Sequence, residues 1–205
     1  MTLFTFNTSK SIQFGAGALD QRGGLTKAQI GGRILLVTDP GIMSTGIVDR
    51  ALSLLNSANV TVELFKDVEA DPPESVILQA AAQAREAQVD GVIGVGGGSS
   101  LDVAKLVALL APGNETLKDA YGVGNAKGPR LPLILVPTTS GTGAEVTPVS
   151  IVTTGTNEKM GVVSPVILPD IALLDPELTY DLPPAITAAT GVDAMVHALA
   201  AYASA

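Results

Sequence analysis

Short apolar runs alternate along the chain with longer stretches in which apolar residues recur every three to four positions. Residues 33–38 form the first run and end at Asp39-Pro40-Gly41. A continuous apolar run of this length, closed by turn residues, predicts a buried strand. In residues 46–58, Ile47, Ala51, Leu54, Leu55 and Ala58 share one helical face. The alternation then repeats. Residues 60–65 read as a strand, 74–87 as a helix, 91–95 as a strand and 101–110 as a helix. Two further strands are predicted at 132–136 and 171–174. Strands separated by helix-length patterns imply βαβ units. The expected fold class is therefore α/β, a Rossmann-like, mostly parallel sheet with helices on both faces.

Three stretches depart from the pattern. Residues 3–14 alternate apolar and polar and predict a two-stranded arm. Residues 149–154 and 160–164 flank Gly155-Thr156-Asn157, which predicts a hairpin inserted in the course of the sheet. After Pro183-Pro184 the chain turns helical and alanine-rich. That shift sets the expected division, with an α/β domain over 1–182 and the first helix of a second, helical domain over 183–205.

Composition narrows the function classes. A chain of 205 residues suits one domain and part of another. With 46% hydrophobic and 16% charged residues it has the makings of a packed core, not of a disordered chain. Twelve basic residues against twenty acidic ones leave a net charge of −8, which repels phosphate polymers and argues against nucleic-acid binding. The absence of cysteine excludes thiolate chemistry, disulfides and Cys-based metal sites. A single histidine excludes a self-contained His-rich metal centre. No segment reads as a secretory signal or a membrane helix, so the expected location is cytoplasmic.

Four segments carry candidate chemistry. Gly96-Gly97-Gly98-Ser99-Ser100 links a predicted strand to a predicted helix. Such a turn lets the backbone approach a diphosphate at a helix start, with Ser99 or Ser100 as cap; it also serves as a plain tight turn. Asp39, just beyond the first strand, can accept from ribose hydroxyls and favour NAD over NADP, or simply shape its Asp-Pro-Gly turn. Residues 137–147 place Thr138, Thr139, Ser140, Thr142 and Thr147 after a strand, where they can face a ligand or satisfy their own backbone. Asp193 and His197, spaced i and i+4, lie on one helical face. That pair suits Fe²⁺ or Zn²⁺, or a helix-surface hydrogen bond. Lys105 reads as a surface charge. Lys159 reads as a solvated lysine within reach of a cofactor ribose or phosphate.

Taken in order, GGGSSLDVAK (96–105), PTTSGTGAEVT (137–147) and TAATGVDAMVHALAAY (187–202) resemble iron-containing (group III) alcohol dehydrogenases, over the N-terminal half of such proteins. The resemblance implies an NAD(H)-dependent oxidoreductase acting on small alcohols or aldehydes, with a divalent metal (Fe²⁺ or Zn²⁺) polarising the substrate oxygen. It assigns Asp39 to the adenosine ribose and Gly97, Gly98 and Ser99 to the diphosphate. Thr138, Thr139 and Thr142 fall beside the diphosphate and nicotinamide. Thr147 and Lys159 become further cofactor contacts, and Leu178 packs on the nicotinamide side. Asp193 and His197 match the first two metal ligands. A homodimer through the N-terminal arm is also implied. Asp71 stands where many relatives have Asn before a proline, an expected change on the adenosine side. The resemblance further implies a C-terminal helical domain that adds two histidines, so that residues 1–205 alone would bind cofactor weakly and not turn over. Two other readings remain open: a non-catalytic nucleotide-binding module, and a zinc-dependent enzyme resembling glycerol dehydrogenase.

Overall fold

The structure, a computed structural model, describes residues 5–21, 27–155 and 158–204. Its main sheet has six strands: β1 (Ser11–Phe14), β2 (Arg33–Val37), β3 (Thr61–Phe65), β4 (Gly91–Gly96), β6 (Leu133–Pro137) and β9 (Ile171–Leu174). They lie in the order β1-β9-β6-β4-β2-β3, and every pairing is parallel. A second sheet joins β5 (Gly122–Val123) in parallel to β8 (Lys159–Val163), which pairs antiparallel with β7 (Val149–Thr153). The helices are α1 (Lys27–Ile30), α2 (Pro40–Met43), α3 (Ile47–Ser57), α4 (Glu74–Glu86), α5 (Gly98–Leu110), α6 (Leu117–Ala120) and α7 (Pro184–Ala203). No helix among the described residues is long and apolar enough to cross a membrane.

The central strands read as continuous apolar runs because both faces of the sheet are covered. Leu35, Val37, Val92 and Leu135 point to one side, where they meet α4 and α5. Ile34, Leu36, Ile93, Val95 and Ile134 point to the other, against Val48, Ala51 and Leu55 of α3. α5 is the most enclosed helix, with ten of its thirteen residues buried. α7 is the opposite case: it spans 20 residues and buries none of them.

The path of the chain places the ligand end. From β2 it runs outward to β3, then crosses to the far side of β2 for β4. Strand order therefore reverses between β2 and β4, and a crevice opens beyond the carboxyl ends of these strands. Gly96 pairs with Pro137, so the loops after β4 and β6 leave the sheet side by side.

Several expectations need correction. Ser11–Phe14 is not half of a two-stranded arm; it is the edge strand of the main sheet, and Ser11 pairs with Ile171. Leu3 and Phe4, at the start of the expected arm, lie outside the described residues. The hairpin forms, but β7 and β8 belong to the second sheet and do not interrupt the first; Thr156 and Asn157 of its turn lie outside the described residues. Lys105 is no surface charge. It is fully buried, donating to Val149 O at 2.7 Å and to Asp102 Oδ1 at 3.3 Å. Ser99 and Ser100 do not cap α5, whose N-cap is Gly97 with no side-chain hydrogen bond.

Candidate functional site: two cavities about a glycine turn

The site is built on the turn between β4 and α5. The first helical bond of α5 runs from Leu101 N–H to Gly97 O. The amides of Gly98, Ser99 and Ser100 precede it and have no partner within the helix, as the first amides of any helix do. No side chain caps them, so this end keeps both its open donors and its partial positive charge. Gly98 stands close against Thr142. A Cβ there would come within 3.1 Å of Thr142 Cγ2 and 3.2 Å of Thr142 Oγ1.

Asp39 faces this turn from the end of β2. It caps α2, accepting from Ile42 N–H through Oδ1 at 3.1 Å. Its Oδ2 accepts from Ser100 Oγ at 2.9 Å. Ser100 is buried, so its hydroxyl fixes the orientation of the carboxylate. Sequence reasoning missed this role. The only hint was a second serine placed one residue beyond the expected phosphate ligand.

A cavity of about 700 Å³ opens on the Asp39 side of the glycine turn. Asp39, Gly97, Thr138, Thr139 and Leu178 line it, with Ile42 and Ile186 among its apolar walls. Thr138 Oγ1 is buried here without a protein partner. A second cavity, of about 620 Å³, lies on the other side of the turn. Gly98, Ser99, Thr142, Thr147, Lys159, Asp193 and His197 line that one. Thus each of the twelve residues to which the resemblance gives a cofactor or metal role borders one cavity or the other, and Asp39, Gly97, Gly98 and Ser99 also line a third, of about 360 Å³, at the turn itself. Ala144 N–H donates to Thr142 Oγ1 at 3.3 Å, which leaves the Thr142 hydroxyl proton free to donate elsewhere.

Asp71 borders the second cavity with Asp193 and His197 and pairs with Lys159 at 2.6 Å.

Asp102 was also missed. Its carboxylate reaches the second cavity, takes the Ile151 N–H at 3.0 Å and pairs with Lys105. Burial pushes the Lys105 ammonium down, and Asp102 and Glu145 oppose that. Burial likewise pushes Asp102 up, against the pull of Lys105. The pair fastens α5 to β7, while Ser9 Oγ anchors the N-terminal segment to Glu145 O at 2.7 Å. The i, i+3 spacing of Asp102 and Lys105 was visible in the sequence; their burial was not.

The metal-ligand candidates sit on α7. Asp193 Oδ1 and His197 Nε2 are 3.6 Å apart. Two donors at that separation can share one ion, since each bond would be about 2.0–2.2 Å. Among the described residues no third His, Cys, Asp or Glu joins them. The strap after β6 touches α7 closely at Gly141, where a Cβ would fall 2.5 Å from Thr190 O.

The chain is similar in sequence and fold to known proteins. A family model described as iron-containing alcohol dehydrogenase matches residues 9–176. Long-chain-alcohol dehydrogenase 1 of Geobacillus thermodenitrificans is 43% identical over 193 residues, covering 93% of this chain and 49% of that protein. Sulfoacetaldehyde reductase of Bilophila wadsworthia is 36% identical over 200 residues, covering 97% of this chain and 52% of that protein. The crystal structure of a 1,3-propanediol oxidoreductase superposes with a TM-score of 0.91 at 34% identity, covering 97% of this chain and 52% of that one. The chain spans about half the length of these relatives. Its parallel sheet, its glycine turn and its family match agree: the chain belongs to the iron-containing alcohol dehydrogenase family.

Proposed function

We propose that this chain is the dinucleotide-binding half of an NAD(H)-dependent oxidoreductase for small alcohols or aldehydes. One observation carries the reading. Two cavities flank a helix N-terminus with open amides; one holds Asp39 and the other holds Asp193 and His197. A dinucleotide has two nucleosides joined by a diphosphate, and this layout matches that plan. The amides of residues 98–100, with Ser99 Oγ, bind the diphosphate. Asp39, held by Ser100, accepts from the adenosine ribose and repels a 2′-phosphate. Thr138 Oγ1, buried and unpartnered, fits a cofactor oxygen.

The nicotinamide end then falls in the second cavity, beside Thr142, Thr147 and Lys159. Leu178, which the resemblance put on the nicotinamide side, borders the first cavity, and on this reading it packs on the adenosine side. Asp193 and His197 would hold a divalent metal, Fe²⁺ or Zn²⁺, through one oxygen and one nitrogen. When bound, NAD(H) carries the hydride and the metal polarises the substrate oxygen. Two protein donors alone leave the metal weakly held. The domain division at 182/183, a cytoplasmic location and dimerisation through the N-terminal segment belong to the same reading. β1 supports the last, because it is a sheet edge.

Titrating the 205-residue chain with NADH and with NADPH, followed by nucleotide fluorescence, tests the cofactor assignment. Saturable NADH binding, tighter than NADPH binding, is the expected result. A protein extended to the length of its relatives is expected to oxidise short alcohols with NAD and Fe²⁺, and to lose that activity in Asp193→Ala and His197→Ala. An extended protein that binds no nicotinamide nucleotide overturns the proposal.

A further inference from the structure

One residue in the loop between β3 and α4 has an unusual backbone. Asp71 has φ 52°, in the left-handed region that non-glycine residues rarely adopt. Among the described residues Asn59 and Gln88 share it, but each stands just past a helix, α3 or α4. A left-handed residue there is an ordinary helix ending. Asp71 ends no helix, and the proline after it favours an extended conformation instead. The surrounding contacts hold it in place. Thr153 N–H donates to Pro72 O at 3.0 Å, and Pro73 bridges to Thr153, which fastens the loop to β7. From that position the Asp71 carboxylate accepts from Lys159 Nζ at 2.6 Å.

Both side chains border the second cavity, next to Ser99, Asp193 and His197. They keep 69% and 56% exposure, so the pair is open to solvent and easily exchanged. We propose that Asp71 sets the affinity of this cavity for NAD(H) by competing with the nucleotide for Lys159. The inference rests on the cavity being the cofactor site. Lys159 carries one positive charge and can turn its donors to either partner. The nucleotide brings an anionic diphosphate and ribose hydroxyls. While Lys159 is paired with Asp71, its charge is neutralised, and the carboxylate itself repels the arriving anion. Asp71 therefore holds nucleotide affinity below what Lys159 would otherwise supply.

Asn at position 71 keeps the shape and suits a left-handed backbone, but removes the charge. The test is an NADH fluorescence titration of four proteins: the 205-residue chain, Asp71→Asn, Lys159→Met and the double variant. Asp71→Asn is expected to tighten NADH binding roughly two- to fivefold, the range of an exposed ion pair. Lys159→Met is expected to weaken it. In the Lys159→Met background, Asp71→Asn is expected to gain less than it does alone. Asp71→Gly, which also accepts a positive φ, replaces Asp71→Asn if that variant does not fold. Weaker or unchanged binding in Asp71→Asn overturns the proposal. So does an equal gain with and without Lys159, which would mean that Asp71 acts on the nucleotide directly. Binding by the parent chain without a gain in Asp71→Asn overturns this inference alone; no binding by any of the four overturns the cofactor reading with it.

Discussion

The helices α5 and α7 both supply candidate site residues, and they are packed in opposite ways. α5 lies between the main sheet, α4 and β7, with ten of thirteen residues buried. α7 buries none of its 20, and Val192, Met195, Val196 and Leu199 are all more than half exposed. The nucleotide-side donors at residues 98–100 therefore stand on a finished core, whereas Asp193 and His197 stand on a helix that draws no support from either apolar cluster. Preorganisation is expected to differ accordingly. The turn is set before a ligand arrives, and the metal donors are held mainly by their own helix.

The contrast makes a direct stability prediction. Leu106 of α5 is fully buried, so Leu106→Ala is expected to cost about 2–5 kcal/mol. Leu199 of α7 is 64% exposed, so Leu199→Ala is expected to change stability by no more than about 0.5 kcal/mol. Denaturant midpoints of the two variants measure both. Equal losses would erase the distinction between the helices.

Ligand binding sharpens the contrast further. Gly98→Val brings side-chain atoms against Thr142 and covers the open amides, so NADH affinity is expected to fall at least about tenfold. Asp193→Ala and His197→Ala in the 205-residue chain are expected to leave NADH affinity within about twofold, since they lie on the unpacked helix. Fluorescence titration compares them directly.

Acid probes the sheet side at Asp170. Burial pushes Asp170 up, but hydrogen bonds from Arg130, Lys10 and the Leu133 amide outweigh it and hold the carboxyl at about 2, below its ordinary 3.8. A depressed carboxyl stabilises the fold above its unfolded value. That contribution is expected to be complete above about pH 4 and to vanish as pH falls through about 2. Asp170→Asn is expected to flatten this limb of a pH–stability curve, and an unchanged limb would contradict the assignment. A further effect is expected at Ser100. Ser100→Ala leaves Asp39 held by the Ile42 amide alone and is expected to narrow the preference for NADH over NADPH by roughly three- to tenfold, the net worth of an ordinary hydrogen bond. A change shared equally by both nucleotides would reduce Ser100 to a packing residue.

The division between legible and hidden features follows from how local each signal is. The runs that became β2, β4, β6 and β9 stood out because a doubly covered parallel strand has almost no polar positions. The glycine turn was legible because its residues are contiguous. β1 was misread because its four residues are mostly exposed and its partner lies at the other end of the chain, at Ile171–Leu174. Lys105 was misread for a related reason. A lysine is ordinarily exposed, and its burial is made tolerable by the tertiary bond to Val149 O together with the pair to Asp102 on its own helix. The membership of each cavity was hidden too, because Asp39, Thr138 and Leu178, far apart in sequence, meet in one cavity, and Thr142, Lys159 and His197 meet in another.

The central claim is that the amides after β4 receive a dinucleotide diphosphate between two cavities. Amide chemical shifts of the 205-residue chain, recorded by NMR during NADH addition, test it most directly. The account predicts saturable shifts at Gly97, Gly98 and Ser99, joined by Asp39 on one flank and Thr142 on the other. Shifts confined to one flank, or absent from 97–99 while other residues respond, would contradict it.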